Sequence, residues 1–105
     1  VNQSEPIFVF ISAADWDEAC RAGYYRPASL GAEGFVHASP REQLVRVANK
    51  FYAQVSDLRL LEIDPAKVAA EIRWEPATGG LYPHIYGPLN VDAVVSVTPW
   101  KHSAG

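Results

Sequence analysis

Ile7–Gly23 reads IFVFISAADWDEACRAG, and the place where its periodicity changes decides the fold. Ile7 to Ile11 is an apolar run of β-branched and aromatic residues, too short for a helix, so it reads as a buried strand ending at Ser12. Ser12 is of the type whose side-chain oxygen caps a helix start, and Asp15, three residues on, falls near the positive end of that helix. Trp16, Ala19, Cys20 and Gly23 then recur at i, i+3, i+4 and i+7, so one stripe turns to the core and Cys20 is expected there as a packed thiol. A strand running straight into an amphipathic helix calls for a sheet with helices laid on it.

The same change recurs downstream. Phe35–Ala38 reads as a second short strand, and Ser39, Pro40 and Glu42 have the spacing of a helix cap, a first-turn proline and a capping box. Leu44, Val47, Ala48 and Phe51 give the second helix its apolar stripe, ending near Tyr52. Leu58–Ile63 is a third strand, Asp64-Pro65 opens a short helical turn to about Ala70, and Ile72–Trp74 is a brief fourth strand. Glu75 to Pro88 carries the glycine and proline punctuation of a structured loop, with a strand fragment at His84–Tyr86. Val94–Val97 reads as a last buried strand, and TPWKHSAG as a frayed tail. The sum is an α+β domain, two main helices packed on a small sheet, with Trp16, Leu44, Val47, Phe51, Leu60 and Val95 buried together.

Composition narrows the function classes. The 105 residues, 49% hydrophobic and 20% charged, fit a single domain over residues 1–105 with its core between Ile7 and Pro99. A net charge of −3 argues against an extended nucleic-acid surface, and a monomer is expected. One cysteine excludes an internal disulfide and a multi-cysteine zinc site. No apolar run has the length of a membrane span, the first residues lack the pattern of a leader, and a cytoplasmic protein is expected.

Three stretches carry candidate chemistry. In GFVHASP, His37 ends an apolar strand just before a helix start; it either meets a ligand at that positively polarised end or bonds a backbone carbonyl. In RWEPATGG, Glu75 either projects into a cleft as a base or hydroxyl acceptor, or is an exposed loop carboxylate. Trp74 and Arg73 alternate, so Trp74 is core and Arg73 faces away from it. In LYPHIYGPL, Pro83, Gly87 and Pro88 stiffen the backbone around His84 and Tyr86, which either form a structural corner or a binding surface. The sequence leaves Tyr82-Pro83 open between cis and trans. His37, His84 and Glu75 lack the short spacing of metal ligands, and no metal site is expected.

GFVHASPREQ, LLEID, RWEPATGGLYPHIYGPL and VDAVVSV, in that order, resemble the bacterial family known as domain of unknown function 952. The resemblance runs from Ile7 to about Pro99. It implies a split α+β sheet like that of the ADP-ribosyltransferase-like proteins, whose active members hold NAD in a cleft. His37-Ala38-Ser39 is similar to the segment that holds a ribose hydroxyl in such enzymes, and to the "VHLS" of the RNA 2′-phosphotransferase branch. Val9 stands where that branch has a first histidine, and no glutamate follows Val94. The resemblance implies a nucleotide-type ligand, with NAD or ADP-ribose as substrate or ligand and no other cofactor named. His37, Ser39 and Tyr86 would bind it, and Glu75 and His84 would be the catalytic pair of an ADP-ribosyl or phosphoryl transfer enzyme. The alternative is a catalytically silent domain binding a ligand or a protein. A glutathione transferase is excluded by size.

Overall fold

The computed structural model describes residues 5–77 and 79–101. Its strands are β1 (Ile7–Ser12), β2 (Tyr24–Tyr25), β3 (Val36–His37), β4 (Leu58–Ile63), β5 (Glu71–Ala77), β6 (Gly80–Tyr86), β7 (Leu89–Asn90) and β8 (Val94–Pro99). Its α-helices are α1 (Ala13–Ala22), α2 (Ala28–Glu33) and α3 (Leu44–Phe51). The strands form two three-stranded sheets, ordered β1-β4-β8 and β3-β6-β5, and a small β2-β7 pair. All pairings are antiparallel. An isolated bridge between Phe8 and Ser39 joins the two larger sheets, each residue donating its N–H to the other's carbonyl.

β1 is the spine. Ile7, Val9 and Ile11 point into a core between the two larger sheets, where they meet Leu61 and Ile63 of β4, Val36 of β3 and Ile85 of β6. Phe8 and Phe10 point the other way, into a second core with Leu44, Val47 and Ala48 of α3. Burial on both faces explains why β1 is apolar without alternation. Ser12 caps α1 as the sequence indicates, its Oγ accepting from the Asp15 N–H at 3.1 Å.

Several expectations are corrected. Cys20 is exposed, because only Ala19 of the α1 stripe is fully buried and Cys20 lies about 100° further round the helix. Ser39 caps no helix; its backbone is spent on Phe8, Pro40 opens a 3-10 turn over Arg41–Gln43, and α3 starts only at Leu44. Phe51, the last residue of α3, is 67% exposed, because Tyr52 and Val55 beyond the helix fill the adjoining core. Val95 is 51% exposed because β8 is an outer strand with a single neighbour, β4. That strand also runs two residues past its expected end, and Trp100 packs edge-on against Phe10 at 5.1 Å, so the tail is anchored at least this far; residues 102–105 lie outside the described residues.

The largest correction concerns Glu75 to Pro88. It is not a loop: β5 and β6 form a hairpin with Ala77 paired to Gly80 and Glu71 paired to Tyr86. Gly79, at φ 97°, takes a left-handed conformation at the turn that a side chain would disfavour. Pro83 sits inside the strand at no cost to the hairpin, because its carbonyl accepts from the Ala38 N–H at 3.1 Å. Its missing N–H would therefore point away from β5 as well. The Tyr82-Pro83 bond is trans. Gln43 pins the hairpin to the start of α3, donating to the Gly79 carbonyl at 3.1 Å and accepting from the Tyr82 hydroxyl at 3.2 Å. α2 is likewise absent from the sequence reading, since its six residues hold one large apolar side chain, Leu30.

Two substitutions separate this packing from the expected one. Ile85→Ala, at a position with no exposed surface, is expected to cost about 2–5 kcal/mol in chemical denaturation. Phe51→Ala is expected to stay within about 0.5 kcal/mol of the parent. A large loss at Phe51 would show that α3 is rotated from the register described.

Candidate functional site

The β3-β6-β5 sheet has two unlike faces because side chains alternate along a strand. Val36, Pro83, Ile85, Ile72 and Trp74 face the core side. On the opposite face the register sets His37 beside His84, Arg73 beside His84 from the other side, Glu75 beside Tyr82 and Glu71 beside Tyr86. Every polar residue singled out in the sequence on these strands therefore shares one face.

On that face His84 is held from two directions. Its Nδ1 lies 2.7 Å from Glu75 Oε1, and its ring stacks on Phe35 at 4.0 Å and 15°. The Tyr86 hydroxyl donates to the same Glu75 oxygen at 2.5 Å. The Arg73 guanidinium lies over the Tyr86 ring at 4.6 Å, and Glu71 holds it in a two-point ion pair. His37 lies 5.6 Å from His84 between ring centres, with its Nε2 2.9 Å from Glu33 Oε2. His84 is mostly covered, at 13% exposure, whereas His37 is half open to solvent at 49%.

A cavity of about 510 Å³ opens beside this face, between the sheet and α3. His37, His84 and Ser39 border it from the sheet side, Glu33 from the end of α2, and Arg46 and Lys50 from α3. Neither cation has a carboxylate partner among the described residues. Ser39 is 6% exposed as a residue, but its hydroxyl keeps contact with solvent: among the described residues the fully buried polar side-chain atom without a partner is Trp100 Nε1. Phe51 and Tyr52 add aromatic surface.

The structure thus brings His37, His84 and Ser39 to one concavity. Glu75 and Tyr86 share the face but do not border the cavity: Glu75 stands behind His84, and Tyr86 is occupied by Glu75 at its hydroxyl and by Arg73 on its ring. Val9 is 2% exposed and points into the core away from α3, so β1 contributes nothing to the cavity at that position. Sequence reading missed Arg46 and Lys50, whose i, i+4 spacing beside the Val47 stripe was the available signal. It also missed Phe35, which looked like strand core. Among the described residues no group of three or more potential ligands is placed to hold a metal ion, and no helix is long and apolar enough to cross a membrane.

The electrostatics centre on Glu75. The Tyr86 hydroxyl first, and His84 second, hold its carboxyl below the usual carboxylate range. The same bond raises Tyr86 above the usual phenol range, since losing its proton would set a phenolate against a carboxylate. An ionised carboxylate only accepts, so His84 donates Nδ1–H to Glu75 and its Nε2 is the uncommitted nitrogen.

The fold and this site define a small α+β domain with a cavity between the polar face of the β3-β6-β5 sheet and α3. The chain belongs to the family described as protein of unknown function (DUF952), whose model matches residues 10–97. The family expected from the motifs around His37 and His84 is therefore the family found. The chain is similar to protein CC0527 from Caulobacter crescentus, whose X-ray structure is 32% identical, with 94% of this chain and 89% of that chain covered and a TM-score of 0.86. The solution NMR structure of CC0527 matches at 32% identity, covering 94% of this chain and 87% of that chain, with a TM-score of 0.78. No curated protein matches the chain.

The Glu75–Tyr86 bond makes a testable pH profile. Glu75 titrates lower in the folded chain than in the unfolded one, so its contribution is complete above the ordinary value of about 4.3 and is lost as pH falls through the folded value. Tyr86 titrates higher when folded, so its contribution is complete below about pH 10 and is lost as pH rises through the folded value. Melting temperature followed against pH should therefore fall more gently for Tyr86→Phe than for the parent at both extremes. Part of the alkaline fall should remain, because burial raises Tyr25 to about 12 and also raises Tyr52. Parallel profiles for the two proteins would contradict the coupling.

Proposed function

We propose that the cleft binds a small nucleotide-type ligand, of the class of NAD or ADP-ribose, carrying a phosphate and a flat ring. The observation that carries this reading is the convergence on one cavity of the Ser39 side chain and of Arg46 and Lys50, two cations without a carboxylate partner among the described residues. The Ser39 hydroxyl can both donate and accept, so a ribose hydroxyl entering the cavity would find a partner there. Arg46 and Lys50 would take the phosphate as charge-assisted donors, and His37 would add a donor beside Ser39. Phe51, exposed at the rim with the Lys50 ammonium 5.3 Å from its ring centre, sets an aromatic surface beside that cation. A volume of about 510 Å³ falls in the range of small-molecule sites. The likeness of His37-Ala38-Ser39 to the ribose-binding segment of ADP-ribosyltransferase-like proteins agrees with this placement. On this reading the domain works as a cytoplasmic monomer without a nucleic-acid surface.

A catalytically silent binding domain is the second reading. The buried Val9 favours it, as does the position of Glu75 behind His84, away from a sugar held in the cavity.

Amide chemical shifts, followed during titration with NAD, ADP-ribose, nicotinamide and inorganic phosphate, test the proposal. Shifts are expected in Phe35–Ser39, Arg46–Tyr52 and Tyr82–His84 with the phosphate-bearing compounds. Arg46→Ala and Lys50→Ala, both at exposed positions, should each weaken ADP-ribose by about 10- to 150-fold, the equivalent of about 1.5–3 kcal/mol for a charged hydrogen bond. Shifts elsewhere on the domain, or affinity unchanged in both variants, would overturn the reading.

A further inference from the structure

His37 and His84 are neighbours across a strand pair, and each has one ring nitrogen on a carboxylate, Glu33 and Glu75 respectively. Each carboxylate holds one nitrogen of its ring, and among the described residues the other, Nδ1 on His37 and Nε2 on His84, has no hydrogen-bond partner. Both rings border the cavity that Arg46 and Lys50 also border. A ring separation of 5.6 Å lets the two imidazoles reach the entering and leaving oxygens of one phosphoryl group. A site for simple binding has no need of two separately buttressed imidazoles beside two cations.

Resting on the ligand class proposed above, we infer that the cleft hydrolyses a nucleoside phosphodiester by paired general acid–base catalysis, with His37 and His84 as the catalytic residues. One imidazole takes a proton from water as the water oxygen bonds to phosphorus. The other, entering as imidazolium, gives its proton to the ester oxygen as the phosphorus–oxygen bond breaks. One water is consumed, a phosphomonoester and an alcohol form, and the exchanged protons are reset through solvent. Arg46 and Lys50 hold the non-bridging oxygens. Glu75 and Glu33 are positioning residues, fixing which nitrogen of each ring faces the cavity.

The probe is adenosine 2′,3′-cyclic monophosphate, a phosphodiester of mononucleotide size, followed by phosphorus NMR across a pH series. The parent should convert it to a phosphomonoester with a bell-shaped dependence of kcat/KM on pH. His37→Ala and His84→Asn should each lower kcat by about 10²–10⁴-fold and leave one limb of the bell. The asparagine keeps a donor towards Glu75, which protects the fold, and amide spectra check that it does. Glu75→Gln should lower kcat with KM little changed. If ADP-ribose titrates into the cleft while the cyclic nucleotide stays intact at every pH, this inference fails and the binding proposal stands. If neither compound shifts the cleft residues, both fail. A rate unchanged in either histidine variant would also overturn it.

Discussion

The polar face exists because the β3-β6-β5 sheet is locked in one register. Ile85 and Val36 are buried to about the last square ångström, and Ile72 and Trp74 pack beside them. A slip of one residue in β6 would drive His84 into that core and turn Ile85 out to water. The core therefore sets which side chains reach the cleft. Gln43 adds a second lock by tying the hairpin turn to the start of α3, the helix that forms the far wall. The bridge from Phe8 to Ser39 does the same for the strand that carries His37. Site geometry and fold stability are in this sense one constraint, and the polar residues occupy the alternate positions that the apolar ones leave.

The elements legible in the sequence were those with a single clear period. β1 and β4 are legible to within a residue, and so is Ser12 as the cap of α1. The hairpin was hidden because Pro76, Gly79, Gly80 and Pro83 look like loop punctuation. Only the pairing partner shows that Pro83 directs its vacant N–H side away from β5. Phe51 and Cys20 were misplaced for another reason. Helical spacing fixes which residues share a stripe, but not how far along the helix the core extends or how wide it is.

The site was legible in part. His37, Ser39 and His84 stand out in sequence as polar residues in apolar or rigid surroundings, and they meet at the cavity. Glu75 and Tyr86 stand out equally, yet lie one layer back from the cavity, a distinction that depends on strand register. The cations on α3 gave little signal because a basic pair on a helix surface is ordinary. Membership of the family and the likeness to CC0527 establish the fold's company and leave the chemistry to be read from the side chains.

The most direct measurement is a long-range proton–nitrogen NMR spectrum of the imidazoles, recorded at neutral pH with and without ADP-ribose. The account predicts that His84 carries its proton on Nδ1, shielded from exchange by Glu75, and that the ligand perturbs Nε2 of His84 and Nδ1 of His37. A proton on Nε2 of neutral His84, or ligand-induced changes at neither ring, would contradict it.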